Sequence, residues 1–253
     1  MFHDHATPLV IAYLIALGGW LLANRVFPGI WQSKSDEVIA KPRVEFGYAL
    51  LGVIGILVMG MLWTKGIRIP ESGMFASISG ALNQILIFMP IILVMVIRRQ
   101  SWDTAWIPKD RIWIRILVGL ILASLAVTTY SILRVGADSP WTIIVRIWRY
   151  EHLDKIVQVF LEDLTIAILF IRLAKIIGHA WATVVVACLF AAGHIPVMVS
   201  QGTTWLELYG LLRDAGLGVA VILILQKSRD FIWFWFIHFC MDMTQFNGIS
   251  GVG

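Results

Sequence analysis

The stretch "FWFIHFCMDM", residues 234–243, sets one histidine and one aspartate, His238 and Asp242, among aromatic and aliphatic side chains. Apolar runs of this kind recur along the whole chain, and they decide the fold class. Of 253 residues, 59% are hydrophobic and only 14% charged. A soluble domain is about half apolar and about a quarter charged. The composition therefore excludes an ordinary soluble core and indicates a single integral membrane domain over residues 1–253. One membrane span takes roughly 20 apolar residues. Apolar runs lie near 8–25, 45–64, 79–97, 112–133, 155–173, 180–198, 206–226 and 230–247. Each is expected to be a helix, because an unpaired backbone group in hydrocarbon costs several kcal/mol. The expected fold is all-α: a polytopic bundle of about eight transmembrane helices.

The connections are short, the longest polar ones falling near 26–44, 98–111 and 134–154. There is no repeat, no low-complexity tract and no separate soluble segment. The net charge of +4 comes from basic residues in the connections, as in loops that face anionic lipid. No basic cluster is interleaved with aromatics, so a nucleic-acid partner is not expected. Cys188 and Cys240 lie in apolar runs and read as small buried hydrophobes. The N-terminus, "MFHDHATPLV", has no Lys or Arg before its first apolar run and makes a poor signal peptide, so that run reads as a retained span. Most Lys and Arg residues lie in the connections after the first, third, fifth and seventh runs. By the positive-inside rule both termini are then outside. With no eukaryotic targeting signal in view, a prokaryotic plasma membrane is the expected location.

Ionisable residues inside the runs gather in the second half of the chain. The fifth run holds Glu162 and Asp163, the sixth His194, the seventh Arg213 and Asp214, and the eighth His238 and Asp242. An acid at the centre of a span costs on the order of 2.5–3.5 kcal/mol on insertion scales, and such residues usually face the bundle interior. Counted at about 1.5 Å per residue from the helix ends, these groups lie roughly 6–12 Å deep from one membrane side. The charge pattern makes it the outer side. His238 and Asp242, four apart, share a helix face. Glu162 and Asp163 point about 100° apart, so at most one aims straight at a common centre. Pro196 is expected to loosen the helix end beside His194.

Each group has a plainer reading. A membrane histidine is often an interhelical hydrogen-bonder. Arg213 beside Asp214 reads as a self-neutralising pair, and Glu162 with Asp163 as snorkelling acids. The shared depth favours a site. A buried carboxylate beside a histidine can deprotonate water, and a second histidine can donate to the oxyanion of an attacked amide. Asp242 stands where it can fix the tautomer of His238. The same set suits a zinc ion or a proton relay in a transporter. Residue chemistry alone does not choose among these.

Three motifs occur in order: the acidic pair in "VFLEDLTI", Phe190-x-x-x-His194 in "LFAAGH", and His238-x-x-x-Asp242 in "IHFCMD". Over roughly residues 150–247 the chain resembles the CPBP intramembrane proteases, the family of CAAX prenyl endopeptidases, bacteriocin-processing enzymes and Abi proteins. The resemblance implies a hydrolase in which Glu162 is the general base, His194 helps it activate water, and His238 with Asp242 stabilises the oxyanion. It implies a glutamate-type mechanism with no metal cofactor, although zinc remains compatible with the ligand types. The substrate would be a membrane-associated protein or peptide, met at the lipid bilayer. Two departures stand out. The second acid is Asp163 where the family has Glu, and Ala167 occupies the place of an arginine. Arg213, at matching depth, is the expected substitute cation, with Asp163 in support. Arg172 lies about 13 Å further along the helix and on the opposite face. The missing arginine also leaves open an inactive member that binds a partner peptide. A proton-coupled transporter is the remaining alternative.

Overall fold

The computed structural model describes residues 6–31, 39–134, 136, 140–195, 198 and 210–246. Among the described residues the chain is all-helical, with no strand. The helices are α1 (Ala6–Val26), α2 (Pro42–Thr64), α3 (Ala76–Ile97), α4 (Ile112–Arg134), α5 (Pro140–Ile147), α6 (Leu153–Ile177), α7 (His179–Gly193), α8 (Gly210–Ser228) and α9 (Ile232–Phe246). Eight of them fall on the eight apolar runs. The short helix α5 lies in the connection 134–154, which the sequence reading leaves polar. Among the described residues, four helices are long and apolar enough to cross a membrane: Ala6–Val26, Pro42–Thr64, Gly73–Ile97 and Ile112–Arg134. The expected count of about eight spans is therefore met by length and composition in only four. The cause is visible in the second half. Helix α7 has 15 residues, which at about 1.5 Å each covers roughly 22 Å of a ~30 Å hydrocarbon core. Helix α6 is long enough but carries Asp154, Lys155, Glu162, Asp163, Arg172 and Lys175. The sixth run was expected to stay helical to residue 198, whereas α7 stops at Gly193. Pro196 lies outside the described residues.

Small residues set how closely the helices approach, as in membrane bundles that lack a hydrophobic drive between helices. Helix α4 crosses α9 at Gly119, where a Cβ would stand 2.6 Å from the Trp233 carbonyl oxygen. Helix α2 meets α3 at Gly52, where a Cβ would stand 2.7 Å from Ile91 Cδ1. Helix α4 packs on both α1 and α9, while α6 is flanked by α2, α3, α7 and α9. The segment 150–247 is thus woven into the first half of the chain. On the outside, α2 exposes Leu51, Ile54, Leu57 and Met61, and α4 exposes Trp113, Leu117 and Ile121. An apolar exterior of this extent suits lipid and is consistent with an integral membrane protein.

Polar ties close the bundle at the end away from the candidate site. Arg115, at the start of α4, is buried and donates to Asp230 at 2.7 Å, to the Ile30 carbonyl at 2.6 Å and to the Asp110 carbonyl at 3.1 Å. Asp230 also accepts from the Ile232 backbone N–H at 2.7 Å, capping α9. Nearby, Glu45 on α2 pairs with Arg98 at 2.6 Å and accepts from Gln100, which in turn accepts from Arg172. Arg172 further donates to the Thr104 carbonyl at 3.1 Å and the Ile168 carbonyl at 2.9 Å. Both terminal guanidinium nitrogens of Arg172 are engaged at this end of α6. Of the cysteines, Cys240 is buried as expected, but Cys188 is exposed on α7.

Candidate active site

Helix α9 presents Trp235, His238 and Asp242 along one stripe, at the three- and four-residue spacing that shares a face. The Trp235 indole N–H donates to the Ile156 carbonyl at 2.8 Å, fastening α9 to the first turn of α6. The Trp235 ring also meets Phe160 edge-on at 4.9 Å between centroids. One turn further along each helix, His238 meets Asp163.

The His238 Nδ1 lies 2.9 Å from Asp163 Oδ1, with both side chains buried. A carboxylate only accepts, so Nδ1 carries the proton and Nε2 faces the other way. There it finds Asp242 Oδ2 at 3.7 Å, too long for a hydrogen bond. The residue that fixes the histidine tautomer is therefore Asp163, not Asp242 as the four-residue spacing led us to expect. Spacing within one helix guarantees a shared face, but the side-chain reach across to α6 proves shorter. The second oxygen of Asp163, Oδ2, is buried and has no hydrogen-bond partner among the described residues.

Glu162 joins the same cluster. Donor atoms of Glu162, His238 and Asp242 all lie within 4.8 Å of one another. The 100° offset between Glu162 and Asp163 is accommodated because the His238 ring spans them. Asp163 takes Nδ1, and Glu162 stands with Asp242 by the rest of the ring. Glu162 is itself held: Gln158 Nε2 donates to its Oε1 at 2.8 Å.

His194 caps α7 and is half-buried. Its ring is 5.1 Å from the Phe190 centroid, and Phe190 is 5.8 Å from His238. Phe190 thus stands between the two histidines, and His194 lies outside the tight Glu162–His238–Asp242 group. On its other side His238 is flanked by Phe234 at 5.7 Å. Phe234 in turn meets Tyr13 of α1 at 6.3 Å. Tyr13 is buried and near enough to Asp242, Asp163 and Asp214 for their charges to act on its phenol.

Arg213, the expected substitute cation, stands on α8 with an acid beside it. Its guanidinium pairs with the adjacent Asp214 at 3.1 Å. It also lines a cavity of about 360 Å³ between α1 and α8, with Ala6, Thr7, Val10 and Ile11. The plainer reading of Arg213 and Asp214 as a self-neutralising pair describes their geometry.

Two neighbours of the cluster escaped the sequence reading. Gln158 sits four residues before Glu162, a spacing that could have flagged it. Tyr13 has no local signal, since only the packing of α1 brings it near. Chemically, the arrangement offers a hydrogen-bonded carboxylate, an imidazole oriented by a buried acid, and a second carboxylate beside the free ring nitrogen. The same three donors are of the types that hold zinc, and Asp163 behind Nδ1 is the usual outer partner of a metal-bound histidine. The chain matches no family model, no curated protein and no solved structure.

Proposed function

We propose that this protein is an intramembrane endopeptidase of the CPBP type, cleaving a membrane-associated protein or peptide with water activated by Glu162. The observation that carries this reading is the buried Asp163–His238 contact with Glu162 and Asp242 grouped about the same ring. A carboxylate and a histidine sequestered between helices cost desolvation energy that apolar packing would avoid. The histidine lies within 4.8 Å of a general-base candidate, which favours chemistry over structure.

In this reading Glu162 takes a proton from water as the water oxygen attacks the peptide carbonyl carbon. The C–O bond forms, and the carbonyl oxygen becomes an oxyanion. His238 already donates Nδ1–H to Asp163, so it donates Nε2–H to the oxyanion only as the imidazolium. Asp163 and Asp242 supply the countercharge for that cation. Glu162 then passes its proton to the leaving nitrogen, and the C–N bond breaks. His194, beyond Phe190, is the group that the family resemblance assigns to helping Glu162 activate the water. The last four helices carry the site, in an outer leaflet if the positive-inside pattern holds, which suits an exported or membrane-anchored substrate cut near its membrane junction. If a divalent cation binds, Glu162, His238 and Asp242 would hold it, and it would supply Lewis acidity at the carbonyl.

The experiment is a comparison of membrane-protein termini in cells carrying the wild type or Glu162→Gln. Cut ends that vanish in the variant support the reading and identify the substrate. Identical termini, with both proteins folded, overturn it. A binding protein without catalysis is then the better account, favoured by Ala167 and by an Arg213 already neutralised by Asp214.

A further inference from the structure

A polar chain runs along one face of α6 from its solvent end to the candidate base. Lys155 Nζ donates to Gln158 Oε1 at 3.2 Å, and Gln158 Nε2 donates to Glu162 Oε1 at 2.8 Å. We propose that Lys155 and Gln158 are positioning residues for Glu162, a cation and an amide that together orient and polarise its carboxylate. The inference rests on Glu162 being the base of the proposed reaction.

A glutamine amide can present either its oxygen or its nitrogen to a neighbour. Beside a carboxylate, the oxygen would repel and the nitrogen attracts. Lys155 settles the choice, because an ammonium only donates and therefore claims Oε1. The amide dipole is thereby aligned between a positive and a negative end, and hydrogen bonds in such a chain strengthen one another. With Oε1 of Glu162 engaged, Oε2 is the oxygen left to meet water.

A purely structural role fits Lys155 poorly. It lies in the first turn of α6, where the helix dipole favours acids and opposes cations. Asp154 at 3.6 Å offsets this in part. The ammonium side chain is 41% exposed, so its removal leaves no cavity in the core.

The test uses dicyclohexylcarbodiimide, an apolar reagent that adds to protonated carboxyls, on the purified full-length protein in detergent. Adducts at Glu162 are followed by mass spectrometry at neutral pH, with Glu162→Gln as the blank. Gln158→Leu should speed labelling about tenfold, the factor that corresponds to one charge-assisted hydrogen bond. Lys155→Met should speed it at least about threefold, and Lys155→Arg, which keeps the donor and the charge, should stay within about twofold of wild type. Lys155→Met keeps the test alive if Gln158→Leu fails to fold. Equal labelling in wild type and variants, including none at all, overturns the proposal, as does an acceleration by Lys155→Arg as large as that by Lys155→Met. Labelling is read without a substrate. If it fails while cut ends depend on Glu162, the positioning role falls and the peptidase reading stands. The converse result removes the peptidase and leaves Lys155 and Gln158 holding a Glu162 that is no longer a base.

Discussion

The contact between His238 and Asp163 makes a thermodynamic prediction that needs no substrate. His238→Phe keeps an aromatic ring between Phe190 and Phe234, whose centroids lie 5.8 Å and 5.7 Å from the histidine ring. It removes the hydrogen bond from His238 to Asp163, whose Oδ2 is buried and unpaired among the described residues. The side chain of Asp163 is 2% exposed. Breaking one member of a buried pair costs about 3–5 kcal/mol, because the other charge is left uncompensated. At roughly 2–4 °C per kcal/mol for a chain of this size, the melting temperature should fall by about 6–20 °C. The 12 tryptophans give the fluorescence signal in detergent. Adding Asp163→Asn to His238→Phe removes the stranded charge and should recover more than about half of the loss. Asp163→Asn alone should cost under about 1.5 kcal/mol, since its amide oxygen still accepts from Nδ1. If His238→Phe melts within about 2 °C of wild type, or the second substitution recovers nothing, Asp163 is not the buried partner that the argument requires.

Three further outcomes follow from the geometry. Asp230→Ala leaves the buried Arg115 guanidinium without its 2.7 Å partner and should lower stability by about 3–5 kcal/mol, measured by the same melt; a loss under about 1 kcal/mol would show that the Ile30 and Asp110 carbonyls suffice. Arg213→Ala severs a pair in which both side chains are about one-third exposed and should change stability by no more than about 1 kcal/mol, with cut ends still formed; loss of cleavage with an intact fold would restore it as the site's cation. Cleavage of the recovered substrate should persist within about twofold in a zinc chelator, as a carboxylate-activated water requires no metal; loss with chelator and recovery on adding zinc would assign Glu162, His238 and Asp242 to a metal centre.

Periodicity made the helices legible, because apolar runs long enough to span a membrane leave the backbone no other way to satisfy its hydrogen bonds. The sequence by itself determined that the chain is all-helical and made for a membrane. It determined that His238 and Asp242 share a face, since that needs only helical geometry. It also singled out Glu162 and Asp163, because ionisable groups in apolar runs are costly and therefore conspicuous. The tertiary structure alone decided which of these groups touch. Asp163 rather than Asp242 reaches Nδ1 of His238, because the side chains meet across the α6–α9 interface that Trp235 fastens to Ile156. The contacts of Arg213 with Asp214 and of Lys155 with Glu162 through Gln158 lie within single helices, at spacings already present in the sequence. Tyr13 comes near the cluster only because small residues let α1 pack closely on α4, beside α9. Pairings across helices depend on crossing points and rotations that a local pattern does not encode, and those are set where Gly119 lets α4 sit against the Trp233 backbone.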